Sequence, residues 1–305
     1  MWTRHFRALC RASWGRGAGR SARYRPTVDA LPSVVAAGAG LRGAIVALTG
    51  PPAVAEPTAP KAAARGARLL AVLALAPALR LAVIRHAVPP GVATRTGCDA
   101  CGAPVGLARP WPALGPTARC GRCGARVGPP PGTVELAVAA AVGALVLLGP
   151  PATVLAATAW WLGWAVPLVF VDAAVRRLPD RLTLPAAAGT WLLLGLAALA
   201  GAGPAPWLRA TAAGVALALF FATTTLLLGR RGFGLGDAKL ALGVGALLGW
   251  YGWAALVAGL AFALLLSGLV GVALLAARRV GWRSHLPFGP FLVLGTLAAL
   301  AVLLT

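Results

Sequence analysis

The chain has 305 residues, of which 59% are hydrophobic and 11% are charged, and its mean hydropathy is +0.81. A soluble domain carries about 25% charged residues, so this composition excludes an ordinary soluble domain and indicates a polytopic membrane protein. The 28 Lys and Arg residues against 7 Asp and Glu give a net charge of +21. Most arginines lie in short loops between apolar runs, which favours an orientation signal facing anionic lipid over nucleic-acid binding.

Residues 1–66 are rich in arginine and poor in acids. We predict a basic, disordered N-terminal extension here and assign it no function; a targeting segment or a start codon assigned too early are the alternatives. We predict the first transmembrane helix at residues 67–88, where the apolar run itself begins at about Leu69. Arg80 and Arg85 lie in its last turns, where long side chains can reach the membrane interface.

Residues 89–131 interrupt the apolar pattern with a small polar insert. It holds two C-x-x-C pairs separated by 18 residues, a spacing typical of zinc sites, and the four ligands are Cys98, Cys101, Cys120 and Cys123. Two such turns can close a tetrahedral shell of four thiolates with no open coordination position, so we predict a structural zinc. A redox dithiol and thiols that lie in this spacing by coincidence are the alternatives.

Apolar runs then follow in quick succession through residues 132–305, at 134–149, 152–171, 182–201, 207–228, 238–255, 256–277 and 288–304. With the first span they predict an all-α bundle of about eight transmembrane helices, seven of them after the insert. The insert and the loops at 172–181, 229–237 and 278–287 fall on one side and carry nearly all the loop arginines, which makes that side cytoplasmic. The same count places the basic N-terminus outside, unless residues 33–50 form an extra span.

Two aspartates lie where predicted helices meet the cytoplasmic face. Asp172 directly follows the apolar run 152–171, and Asp237 directly precedes the run 238–255. Acidic side chains at the edge of a membrane span are costly unless they have a task or a partner. Two neighbouring carboxyl groups can share one proton, so that one activates water while the other protonates a leaving amine. A salt bridge, a helix cap or an ion pathway are the alternatives. We expect Asp180 to be a cap, and Lys239 to pair with an aspartate or to reach the interface.

Three segments resemble the prepilin peptidases (type IV leader peptidases), membrane aspartic proteases of the GxGD type. Gly234–Leu240 (GLGDAKL) is similar to the family's G-x-G-D-x-K-L signature, and Val171–Pro185 to its first aspartate motif. Pro287–Phe291 (PFGPF) is similar to its last motif, and the cysteine insert followed by Glu135 fits its cytoplasmic insert. The resemblance covers residues from about 69 to 305.

The resemblance implies removal of a short basic leader from type IV prepilin or pseudopilin precursors, after a glycine and on the cytoplasmic side of the bacterial inner membrane. Many members also N-methylate the new terminus with S-adenosylmethionine, an activity associated with the first span and the insert. Here Leu79–Pro89 keeps the shape of the family's first motif without its asparagine. That departure bears on methylation and not on peptidase activity.

We therefore expect an eight-span aspartic endopeptidase in the lipid bilayer, with Asp172 and Asp237 as the catalytic pair. Glycines before Asp237 leave the backbone bare for an extended substrate. The residues expected to bind substrate or to support the site are Gly234, Gly236, Lys239, Asp180, Pro287 and Gly289. The alternative is a non-enzymatic carrier or assembly scaffold that uses the same aspartates.

Overall fold

The structure of the protein is a computed structural model. It describes residues 74–89, 91–229, 233–281 and 286–304. The extension predicted for residues 1–66 lies outside the described residues, as does the start of the first predicted span. Within the described ranges the fold is helical and contains no β-strand longer than an isolated bridge. Its α-helices are α1 Ala76–His86, α2 Thr133–Leu148, α3 Ala152–Val175, α4 Asp180–Ala197, α5 Pro204–Leu228, α6 Leu235–Tyr251, α7 Trp253–Ala276 and α8 Gly289–Leu304.

Several of these helices match the dimensions of a bilayer. Helix α3, helix α4 with the π-helical turn that continues it to residue 202, α5 and α7 are each long and apolar enough to cross a membrane, whereas α2 and α8 are apolar but shorter. A span needs about 20 apolar residues because the hydrocarbon core is roughly 30 Å thick. The protein is therefore a multi-pass helical membrane protein, as its composition predicted.

Glycines let the helices of the bundle approach closely. Helix α5 packs along α6, where a Cβ atom on Gly245 would lie 2.7 Å from the Ala213 carbonyl oxygen and one on Gly214 would lie 2.8 Å from the Leu242 carbonyl oxygen. Helix α7 packs along α8 in the same way, with Gly295 against the Gly259 carbonyl. Small residues are the ordinary means of helix association in membranes, where burial of apolar surface gives little advantage over lipid.

The break between α6 and α7 lies at Gly252, in the nearly continuous apolar run 238–277 where the sequence left the cut open. Gly252 has φ of +137°, a conformation that favours glycine. Arg209 from α5 donates hydrogen bonds to the carbonyl oxygens of Gly249 and Trp250 at the end of α6. These carbonyls have no partner within the helix, so the arginine satisfies them.

A buried ion pair connects α1 to α2. Arg80 is fully buried and its guanidinium contacts both oxygens of Glu135, at 2.7 Å from Nη2 and 3.3 Å from Nε, while Nη1 donates to the Pro129 carbonyl at 3.1 Å. The expectation that Arg80 extends to the membrane interface is therefore wrong, because Glu135 and Pro129 offer it partners inside the protein. Arg85, one turn later, is exposed. The pair fixes the first helix to the segment that follows the insert.

We expect Glu135→Gln to lower the free energy of unfolding by about 3 kcal/mol, because it leaves the Arg80 charge buried without a counterion. The measurement is the thermal midpoint of the purified protein in detergent. Asp99→Asn is the matched control, since the Asp99 pair with Arg95 joins neighbouring turns at a half-exposed carboxylate and such pairs contribute little. Equal midpoints for Glu135→Gln and Asp99→Asn would contradict this account of the pair.

Candidate active site

Asp172 lies in the last turn of α3 and is only 5% exposed. Its Oδ2 accepts a hydrogen bond from the backbone N–H of Gly289, at 2.9 Å, across 117 residues of sequence. Gly289 is the first residue of α8, so the carboxylate faces the N-terminus of a helix, where the dipole favours negative charge. A Cβ atom on residue 289 would lie 2.8 Å from the same Oδ2. Only glycine therefore admits this contact without a shift.

Asp237 is the third residue of α6 and is 8% exposed. Its Oδ2 accepts a hydrogen bond from the backbone N–H of Gly234, at 2.9 Å. This is a helix cap, the alternative considered from the sequence, although the helix begins at Leu235 and not at Ala238. The cap fixes the orientation of the carboxylate through one of its two oxygens.

Both aspartates line one cavity of about 530 Å³, and Asp172 lies within electrostatic range of Asp237. The two carboxylates are thus brought together from positions 65 residues apart, at the end of one helix and the start of another. Other walls come from the loop before α4, from the start of α6 and from the segment after α1. The remaining lining residues are His86, Val88, Val92, Thr94, Arg176, Arg177, Leu178, Pro179, Asp180, Arg181, Gly234, Leu235, Gly236 and Lys239.

Lys239 and Asp180 form an ion pair in the wall of this cavity, with Nζ and Oδ1 2.5 Å apart. The pair joins α6 to the start of α4. Asp180 is not the helix cap that we expected, because Pro179 occupies the capping position and no side chain caps the helix. Of the two alternatives for Lys239, pairing with an aspartate is the one found. Both side chains are partly exposed, so the pair aligns the helices more than it stabilises the fold.

The glycines near Asp237 have specific neighbours. A Cβ atom on Gly236 would lie 3.0 Å from the Leu178 Cβ, so this glycine lets the start of α6 pack against the loop before α4. Gly234 supplies the N–H that caps Asp237 and lies on the cavity wall. Pro287 is half-buried and directly precedes Phe288 and Gly289. A role of these residues in admitting substrate stays a prediction.

Some cavity residues were not predicted as site residues, and Arg176 was considered only as a salt-bridge partner of an aspartate. Arg176 lines the cavity, and its charge acts on Asp172. It follows Asp172 by one helical turn, so i to i+4 spacing could have indicated it. His86 is the last residue of α1, and its Nδ1 contacts the Ala82 carbonyl oxygen. No sequence signal places His86, Val92 and Thr94 beside Asp172.

The four cysteines of the insert form a compact cluster in which all Sγ atoms lie within 4.8 Å of one another. Each C-x-x-C pair makes the same turn: Gly102 N–H bonds to the Cys98 carbonyl and Gly124 N–H to the Cys120 carbonyl. Both glycines have positive φ, at +70° and +69°, which explains why glycine follows each pair. The two turns are therefore structural repeats that face each other.

This cluster fits a tetrahedral metal. The Sγ atoms of Cys98 and Cys123 are 3.7 Å apart and those of Cys101 and Cys120 are 3.6 Å apart. Zinc–sulfur bonds of about 2.3 Å require tetrahedral sulfur atoms roughly 3.8 Å apart. Backbone N–H groups of Cys123 and Arg122 lower the pKa of the Cys120 thiol to about 6, whereas the pKa of Cys123 in the same cluster is raised, so the four thiols hold their protons unequally. The insert can hold one metal ion through four cysteines.

The fold and the site together define a multi-pass helical membrane protein with two buried carboxylates in one cavity and a separate four-cysteine site. Residues 157–276, which include both aspartates, match the type IV leader peptidase family. The chain is 33% identical over 211 residues to the prepilin leader peptidase/N-methyltransferase of Aeromonas hydrophila, a match that covers 68% of this chain and 71% of that protein. It belongs to the type IV leader peptidase family, and it is a peptidase.

Two further relatives with the same name agree with this assignment. The protein of Burkholderia pseudomallei strain 1026b is 34% identical over 218 residues, covering 68% of this chain and 66% of its own length. The protein of Pseudomonas aeruginosa is 31% identical over 222 residues, covering 68% of this chain and 72% of its own length. No solved structure matches the chain.

We expect reduced, purified protein to contain about one zinc ion per chain, because the four thiols converge on one tetrahedral position. Elemental analysis of the protein is the measurement. Cys101→Ser should lose the metal, whereas Cys10→Ser, which changes the one cysteine outside the cluster, should retain it. Zinc well below stoichiometric amounts in the wild type would contradict the assignment.

Gly289→Ala should lower peptidase activity about 10- to 100-fold, because the added methyl group displaces the Asp172 carboxylate from its N–H donor. Gly268→Ala is the matched control: it is also a glycine within a helix, but nothing lies within 4 Å of its Cβ position. The measurement is the initial rate of peptide-bond cleavage. Equal rates for the two variants would show that the close approach at Gly289 has no part in catalysis.

Proposed function

We propose that this protein is a membrane-embedded aspartic endopeptidase that removes the basic leader from type IV prepilin or pseudopilin precursors. The observation that carries the proposal is the convergence of Asp172 and Asp237 on one cavity, each buried and each held by a backbone N–H. The curated relatives are named as prepilin leader peptidases, which supports the substrate class. Because the chain belongs to a peptidase family, we do not retain the alternative function, a non-enzymatic carrier or assembly scaffold that uses the same aspartates.

The two carboxyl groups divide the chemistry of hydrolysis. The ionised one takes a proton from a water molecule as the water oxygen bonds to the scissile carbonyl carbon. The protonated one supplies a proton to the amide nitrogen as the carbon–nitrogen bond breaks, so that the leader leaves with a new carboxyl group and the mature chain with an amine. This cycle consumes one water and needs neither a nucleophilic side chain nor a catalytic metal.

We place the site on the cytoplasmic side of the bacterial inner membrane. Arg176, Arg177 and Arg181 lie beside the cavity, at the same end of α3 as the aspartate. Arginines near the ends of spans are retained on the cytoplasmic side. This side is also where a basic leader remains while the hydrophobic segment that follows it enters the bilayer. The cleaved bond then lies at the membrane boundary, where the aspartates are.

The remaining parts of the site have supporting roles in this proposal. Lys239 and Asp180 align the starts of α6 and α4, and Pro287 with Gly289 places the N–H donor for Asp172. Gly234 and Gly236 lie on the cavity wall where an extended peptide passes. The metal of the cysteine cluster supplies structure alone, since four thiolates leave it no open position.

The names of the relatives also include an N-methyltransferase activity. The segment of this chain with the shape of the family's first motif has no asparagine, and we assign no residue of the described ranges to S-adenosylmethionine. We therefore propose no methyl-transfer step. Mass analysis of the processed substrate reports leader loss and an added methyl group separately.

Asp172→Asn and Asp237→Asn should each reduce leader removal by at least about 100-fold, because each removes one partner of the acid–base pair. The assay is coexpression with a precursor that carries a basic leader and a glycine before a hydrophobic helix, followed by its intact mass. Asp99→Asn, an exposed acid of the insert, is the control and should cleave like the wild type. Normal processing by either active-site variant in membranes would falsify the assignment.

A further inference from the structure

Three phenylalanine rings pack together beside the two aspartates. Phe221 lies in α5 and is fully buried, Phe233 precedes α6, and Phe288 precedes α8. The ring centroids are 4.7 Å apart for Phe221 and Phe233, 4.8 Å for Phe233 and Phe288, and 5.6 Å for Phe221 and Phe288. These separations fall in the range in which aromatic rings attract one another. We call these three residues the phenylalanine cluster.

Two members of the cluster directly precede the glycines that hold the aspartates. Phe233 is followed by Gly234, whose N–H binds Asp237, and Phe288 by Gly289, whose N–H binds Asp172. The carbonyl of each phenylalanine and the N–H of the next glycine belong to one planar peptide unit. The ring positions therefore constrain the direction in which each N–H points.

The other end of each peptide unit is also fixed. The Thr225 hydroxyl, one turn after Phe221 on α5, lies within hydrogen-bond distance of the carbonyl oxygens of both Phe233 and Phe221, which share its one proton. The Leu292 N–H in α8 donates to the Phe288 carbonyl oxygen, at 3.0 Å. Each peptide unit thus has a donor on its oxygen and a carboxylate on its N–H. Contact between the Phe233 and Phe288 rings connects the two units to each other.

We propose that the phenylalanine cluster is a positioning unit for the catalytic pair, which sets the two glycine N–H donors relative to each other and so the two carboxylates. This proposal rests on the proposed function. The rings do not line the described cavity and act through the glycine N–H groups, so they are positioning residues and not catalytic ones. Aspartates on separate helices need such a connection, since a misplacement of about 1 Å can reduce catalysis roughly 100-fold.

Phe221→Leu is the first test, because Phe221 supports both other rings from a helix that carries no acidic residue. We expect kcat for leader removal to fall at least about 10-fold with KM nearly unchanged, the pattern of a lost transition-state interaction. The pH dependence of kcat/KM should also shift, because the hydrogen bonds to the carboxylates change. Phe220→Leu is the matched control: Phe220 is the neighbouring residue, is 43% exposed and, among the aromatic rings of the described residues, packs against that of Phe221 alone.

A second comparison starts from Phe233, the half-buried member of the cluster. Phe233 is half-buried, so Phe233→Leu should fold, and Phe233→Tyr should keep the ring and retain most of the activity. If the cluster acts as a unit, Phe233→Leu combined with Phe288→Leu should lose less activity than the product of the two single losses.

The outcomes separate the two proposals. If the wild type removes the leader and Phe221→Leu and Phe233→Leu keep the wild-type kcat and pH profile, the cluster is not a positioning unit. Loss of thermal stability with an unchanged pH profile also overturns it, because that pattern is a packing effect alone. Failure of the wild type to cleave any precursor instead contradicts the proposed function.

Discussion

Burial of two carboxyl groups at the end of a helical membrane bundle is the constraint on which the rest of this structure depends. An unpaired carboxylate in apolar surroundings is costly, so each group needs fixed donors. The chain meets this need with two backbone N–H groups at helix N-termini, those of Gly234 and Gly289. Because these donors are neutral backbone groups, they hold each carboxylate without neutralising its charge.

Much of the surrounding architecture follows from this arrangement. The backbone of α8 must approach Asp172 closely, and only a residue without a Cβ atom permits it at position 289. The start of α6 must lie against the loop before α4, which Gly236 allows. The Lys239–Asp180 pair connects the same two elements at the cavity wall. Packing, ion pairing and hydrogen bonding therefore converge on the placement of two side chains.

The parts predictable from sequence are those with strong local signals. Long apolar runs predicted the helical membrane bundle, and C-x-x-C spacing predicted that Cys98, Cys101, Cys120 and Cys123 converge. Positions at the ends of spans and the motif resemblance predicted that Asp172 and Asp237 meet, and both line one cavity. Their catalytic role stays a prediction, because geometry shows proximity and not chemistry.

The parts that could not be predicted depend on contacts between distant segments. Arg80 has Glu135 as its partner 55 residues away, and nothing in either segment alone specifies the other. The boundary at Gly252 could not be located in a nearly continuous apolar run, because it depends on one backbone conformation and on Arg209 from another helix. The phenylalanines look like ordinary apolar residues in sequence, and only their shared contact connects them to the aspartates.

We propose that Asp172 and Asp237 act on one water molecule between them. The most direct measurement is an experimental structure with a bound peptide in which a hydroxyl-bearing carbon replaces the scissile carbonyl. We expect both carboxyl groups to lie within hydrogen-bond distance of that one hydroxyl, at about 2.6–3.2 Å. A complex in which only one of the two reaches the hydroxyl, while the other faces different surroundings, would contradict it.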